Sequence, residues 1–196
     1  MDVTQRLARR LKSLREERGW SLDALAARSG VSRSNISLIE RGQSSPTASI
    51  LDKLSAGLGV TLASLFEEPA AHGSAASPLA RVAEQPVWMD PGSGYLRRNV
   101  SPPVRSPIQL VDVRFPAGQR VAYEAAARDE EVHQQVWMID GAMQLTVGET
   151  TWRLEAGDCL AMTLDQPIVF HNPGTREARY LVALVSLPRG GTRRGP

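Results

Sequence analysis

Residues 21–42, SLDALAARSGVSRSNISLIERG, contain two short helical patterns that meet at Ser29-Gly30-Val31. In the first, Leu22, Leu25 and Ala26 recur at helical spacing, Ser21 stands where an N-cap is needed, and Asp23 occupies the electropositive first turn. Gly30 ends that pattern, since glycine tolerates the left-handed backbone with which helices commonly stop. The second begins at Ser32, a further N-cap residue, and keeps Ile36 and Ile39 on one face while Arg33, Ser34, Asn35 and Ser37 fall on the other. A short helix with a polar, hydrogen-bonding outer face, packed across another helix through a tight turn, is the form in which proteins offer one helix to a DNA groove.

Working outward, the helical periodicity predicts helices over 3–18, 22–28, 33–41, 48–57 and 62–66, with Gly19, Gly30, Gly42 and Gly59 as punctuation. Ile36, Ile39, Glu40, Gly42 and Pro46 follow in an I-x-x-I-E-x-G-x-x-x-P order, with Leu54 and Leu58 supplying the core of the next helix. These residues resemble the Cro/CI-type (XRE) helix-turn-helix repressors over 7–66, which implies a five-helix lambda-repressor-like bundle. The resemblance implies base contacts from Arg33, Ser34, Asn35 and Ser37, with Arg33 suited to a guanine edge. Ser21 and Arg41 would hold phosphates, and Glu40 would tie the recognition helix to its neighbours. It also implies a homodimer on inverted half-sites of an operator.

Charge follows the same division. Residues 1–66 carry ten Lys or Arg against six Asp or Glu, +4, so with +2 overall the remainder is −2. A basic head on a mildly acidic body fits a polyanion-binding module joined to something that does not bind nucleic acid. Arg6, Arg9 and Arg10 also fit a solvated helix face. A single cysteine, Cys159, provides no disulfide framework and reads as a buried apolar filler. With no apolar run of signal-peptide or membrane-spanning length, a cytoplasmic protein is the expectation.

From 67 to about 78 the sequence EEPAAHGSAASP has no periodicity and reads as a tether that leaves two domains loosely oriented. The expected division is a DNA-binding domain at 1–66, a linker at 67–80, a β domain at 81–188 and a disordered tail at 189–196. Short β-rich runs are expected at 82–89, 95–100, 108–115, 132–139, 143–147, 151–154, 159–162, 168–172 and 178–187. Asp140-Gly141 and Gly148-Glu149 fit tight hairpins, and Gly157-Asp158 a turn into the next strand. Pro116-Ala117-Gly118, Leu154-Glu155-Ala156-Gly157-Asp158 and Phe170-His171-Asn172-Pro173-Gly174 resemble a cupin, the small all-β jelly-roll barrel found as a sensor behind XRE heads.

Metal-binding cupins supply two nearby histidines, a carboxylate and a third histidine. At the matching positions this sequence has Arg128, Glu130, Gln134 and Ile168, which do not suit a metal. Strand alternation turns His133 and His171 outward, unless a bulge reverses the parity and makes one a displaced ligand. The same alternation predicts a cavity lined by Arg128, Glu130, Gln134, Val136, Met138, Met162, Ile168 and Phe170, suited to a small organic effector and requiring no cofactor. Met138, Met162 and Phe170 fit plain jelly-roll core equally well. A DNA-binding regulator tuned by an effector, and not an enzyme, is the reading adopted; the alternatives are a metal-dependent cupin enzyme and an antitoxin-like protein that grips a partner.

Overall fold

The computed structural model describes residues 3–66, 77–104, 106–125 and 130–188. Four α-helices lead the chain: α1 Val3–Glu17, α2 Leu22–Ser29, α3 Arg33–Glu40 and α4 Ala48–Gly57. The serines cap as their positions demand, Ser21 Oγ accepting from the Ala24 N–H at 3.1 Å and Ser32 Oγ from the Asn35 N–H at 3.3 Å. Gly30 ends α2 with φ 68°, where a side chain would be strained. The fifth helix of the expected bundle is instead a single 3-10 turn, Ala63–Phe66. The segment is too short for an α-helical ladder, and it closes on bonds three residues back, Ser64 N–H to Thr61 O and Leu65 N–H to Leu62 O.

Ten strands follow, β1 Val87–Met89, β2 Leu96–Asn99, β3 Ile108–Phe115, β4 Arg120–Tyr123, β5 Glu130–Asp140, β6 Ala142–Val147, β7 Thr150–Glu155, β8 Cys159–Thr163, β9 Ile168–His171 and β10 Ala178–Pro188. They form a cupin-like sandwich of two antiparallel sheets, β1-β2-β3-β10-β5-β8 and β4-β9-β6-β7. Apolar residues alternate inward along β5, where Val132, Gln134, Val136 and Met138 are buried between exposed neighbours. One inward row crosses five strands of the larger sheet through Trp88, Arg97, Val113, Tyr180 and Met138.

The strand expectations needed three corrections. Strand pairing in the first run is confined to Val87–Met89, and β4 was missed because its four residues hold one fully buried apolar side chain, Val121. Gly148-Glu149 does close the β6–β7 hairpin, but Asp140-Gly141 carries the chain from one sheet to the other. Gly141, at φ 76°, lies so close to Ala178 that an added Cβ would meet its Cα at 3.0 Å. Cys159 is exposed, because it lies on edge strand β8 opposite the exposed Trp137.

The two parts pack against each other, contrary to the loose orientation expected of a tether. Thr61 Oγ1 donates to Gln109 Oε1 at 2.6 Å, Gln109 Nε2 donates to Ser64 Oγ at 3.0 Å, and Lys53 pairs with Glu124 at 2.9 Å. A chain of ring contacts, each 5.5–6.4 Å between centroids, runs from Phe66 through Trp88, Tyr95, Phe115, Tyr180 and Phe170 to Tyr123. Helical and β-domain side chains therefore share one buried cluster. Residues 67–76 of the expected linker and the whole of the expected tail lie outside the described residues. Among the described residues no helix is long and apolar enough to cross a membrane.

Candidate functional site

The outer face of α3 is built by what its inner face buries. Ile36 and Ile39 are almost wholly buried in the core that α3 shares with α1 and α2, which fixes the rotation of the helix about its axis. Arg33, Ser34 and Arg41 consequently stand exposed, with Asn35 and Ser37 half-buried between them. Ser21, also exposed, lies at the N-terminus of α2, where free N–H groups favour an anion. Leu38, 39% exposed, shares this surface. Sequence reading passed over it, although its position off the Ile36/Ile39 face was the available signal; a side chain of this kind can meet a thymine methyl.

Two ion pairs flank the outer face of α3. Arg15 on α1 clamps Glu40 at the end of α3 through both carboxylate oxygens, Nε to Oε1 at 2.7 Å and Nη2 to Oε2 at 2.8 Å. Its Nη1 also donates to the Trp20 carbonyl at 2.7 Å. The hydrogen bonds to Glu40 raise the Arg15 pKa despite the opposing effect of burial. Arg33 Nε lies 3.3 Å from Asp23 Oδ1, both side chains well exposed, so this contact restrains Arg33 without removing it from solvent.

The second candidate site is a cavity inside the sandwich. Gln134, Ile168 and Phe170 line it, as the alternation suggested, together with Tyr95, Arg97, Tyr123 and Tyr180, which sequence reading missed. Tyr95 and Arg97 lie two residues apart across the start of β2 and are both buried on the same side of the sheet. Met138 and Met162 are buried beside this lining, Met162 Sδ accepting from Gln134 Nε2 at 3.9 Å, while Glu130 is exposed and Arg128 lies outside the described residues. Tyr95 and Tyr123 share a hydroxyl hydrogen bond of 3.1 Å. Burial raises the pKa of Tyr95, and raises those of Tyr123 and Tyr180 well above the ordinary phenol value.

The donor set does not fit a metal. Gln134 is engaged by a thioether, Ile168 offers no lone pair, and among the described residues no three His, Cys, Asp or Glu side chains converge. His133 is exposed and lies 3.2 Å from Glu131, whereas His171 is half-buried with Nδ1 3.3 Å from Gln144 Oε1.

The wall of the cavity is completed by Asp52, Leu62 and Ala63 of the helical part, so the two candidate sites belong to one packed body. Residues 11–65 match the helix-turn-helix family model. The control protein C.MunI of Mycoplasma sp is 38% identical over 68 residues, 34% of this chain and 92% of that protein. The chain belongs to the XRE family of helix-turn-helix transcriptional regulators. The likeness extends past the head of this regulator. The HTH-type transcriptional regulator SutR of Escherichia coli (strain K12) is 27% identical over 183 residues, 93% of this chain and 96% of that one. The crystal structure of an HTH_3 family transcriptional regulator from Vibrio cholerae superposes with a TM-score of 0.75 at 25% identity, covering 96% of this chain and 100% of that one. This XRE regulator thus binds DNA through its helix-turn-helix and carries a cupin-like β domain behind it.

Proposed function

We propose that this regulator reads an operator through α3 and that a small-molecule effector, held in the cavity of the β domain, adjusts how firmly it does so. Arg33, Ser34, Asn35 and Ser37 are the base-reading residues and Ser21 and Arg41 the phosphate contacts, each on the outer surface that the buried isoleucines leave free. Two copies bind inverted half-sites about one helical turn apart, as heads of this kind do. Exposed Trp137 beside Cys159 on the outer face of the larger sheet makes the β domain the better candidate for the dimer contact.

The observation that carries the effector reading is the mixed wall of the cavity. Asp52 comes from α4 and Leu62 and Ala63 lie at the following 3-10 turn, while the rest of the lining belongs to the sandwich. A ligand there meets the DNA-binding part directly. It shifts operator binding to the extent that it prefers one packing of the two parts over the other, and a coupling of about 1–3 kcal/mol is typical. The test is fluorescence polarisation of a labelled fragment of the regulator's own promoter, titrated with full-length protein in the presence of fractionated metabolites. Sequence-selective binding that one fraction shifts supports the reading; binding that no fraction shifts, or that shows no sequence preference, refutes it.

A further inference from the structure

Two partly buried arginines present the same edge to a carboxylate, and a third, more deeply buried, has none. Arg15 gives Nε and Nη2 to Glu40 at 2.7 and 2.8 Å, and Arg179 gives Nε and Nη2 to Asp112 at 2.9 and 3.2 Å. The third, Arg97, is 7% exposed and lines the sandwich cavity, and its Nε and Nη2 have no hydrogen-bond partner among the described residues. Its guanidinium carbon lies 5.8 Å from the centroid of the Phe66 ring, a contact that satisfies neither donor. Trp88, its cross-strand partner, also buries an indole N–H without a partner. Native interiors rarely leave such donors orphaned, since each costs its full desolvation.

We propose that the Nε–Nη2 edge of Arg97 is the anchor for a short-chain monocarboxylate, which is the chemical class of the effector; this rests on the effector reading above. A carboxylate has the two-oxygen geometry that this edge takes elsewhere in the same chain. A single charge on the ligand adds the least repulsion with the wall carboxylates, whereas a doubly charged phosphate would bury more negative charge beside them. The cavity volume of about 60 Å³ restricts the ligand to a small molecule. Val113, Ile168, Phe170 and Leu184 on its wall take the alkyl end, and the Tyr95–Tyr123 hydroxyl pair adds a neutral donor. Two carboxylates, the buried Asp52 and the exposed Glu124, also line the cavity, so nothing but the Arg97 edge draws an anion into it. Occupancy reaches the helical part through Phe66, whose ring lies against the same guanidinium.

The test is calorimetric titration of the full-length protein with sodium propionate and, separately, with its neutral isostere propionamide, at constant ionic strength. The expected result is one saturable propionate site per chain, with propionamide at least about tenfold weaker. Loss of that site in Arg97→Met is also expected, with a urea midpoint no lower than the parent's because an unpaired buried charge has been removed. No saturable site, equal binding of the two probes, or an Arg97→Met protein that is less stable than the parent overturns the proposal. The comparison of probes needs only the parent protein, so a variant that fails to fold cannot shield it. The promoter assay separates the two readings: if a metabolite fraction without carboxylates shifts operator binding while propionate does not bind, the carboxylate assignment fails and the effector reading stands.

Discussion

The backbone N–H of Ala48, the first residue of α4, donates to Oδ1 of Asp90 at 2.9 Å, across a sequence distance of 42 residues. Thr47 holds the N-cap position but makes no side-chain cap bond, so a residue of the sandwich caps a helix of the DNA-binding part. Asp90 is buried, and its Oδ2 accepts from both the N–H and the hydroxyl of Ser93.

Replacing Asp90 by alanine removes that cap and leaves the Ala48 N–H unsatisfied at a buried seam. A loss of about 1–2 kcal/mol in urea unfolding is expected, with Asp90→Asn retaining most of the stability because it keeps an acceptor oxygen. Amide exchange at the start of α4 should accelerate in the alanine variant. Unchanged exchange there would mean that the cap contributes nothing.

Arg33→Ala should weaken specific operator binding by about 1–3 kcal/mol and relax one base preference. Asp23→Ala breaks only an exposed pair, so stability should move by less than about 0.5 kcal/mol. Operator affinity should hold or rise, because a carboxylate is removed from beside the arginine proposed to read a base. A marked fall in polarisation-measured affinity for Asp23→Ala would show that the pair is needed to aim Arg33.

Glu40→Ala removes both carboxylate oxygens from the Arg15 guanidinium, leaving it the Trp20 carbonyl and a longer contact of 3.6 Å with the exposed Glu16. The Arg15 and Glu40 side chains are both largely covered, so the expected cost is about 3 kcal/mol, read from the urea midpoint. Loss of operator binding should accompany it only as far as the fold is lost, since Glu40 positions the helix and is turned away from the outer face. A stable Glu40→Ala protein with abolished binding would contradict that role.

High pH provides a separate check on the cavity. Tyr95, Tyr123 and Tyr180 have raised folded pKa values, chiefly through burial, against an ordinary value near 10. Such groups contribute stability that is intact below pH 10 and is lost as pH rises through 10 toward the folded values, because the unfolded chain releases those protons first. The urea midpoint should therefore fall beyond pH 10, and phenolate absorbance should appear together with unfolding. Full phenolate formation near pH 10 in a still-folded protein would show that the tyrosines are not sealed.

Local signals made the head legible. Ser21, Gly30 and Ser32 act within three or four residues of themselves, so caps and helix ends could be read directly from the sequence. The cavity residues Gln134, Ile168 and Phe170 were legible through strand alternation. What escaped depends on contacts distant in sequence: β4 is a strand because β9 pairs with it, and Asp140-Gly141 is a crossing because β5 and β6 pair elsewhere. Arg97 escaped for a related reason. Nothing local distinguishes it from Arg98 next door, yet one is buried and the other half-exposed, according to which side of a short strand each occupies.

The seam that joins Asp90 to α4 bears on how this molecule could be re-engineered. A chimera cut between Phe66 and Ser77 would seem to exchange complete modules, but the transplanted head would arrive without the acceptor for Ala48, the glutamine that bridges Thr61 and Ser64, and the indole that covers Phe66. Grafting a new specificity onto this regulator therefore means keeping α4 and the 3-10 turn with the recipient and exchanging only the outward side chains of α3.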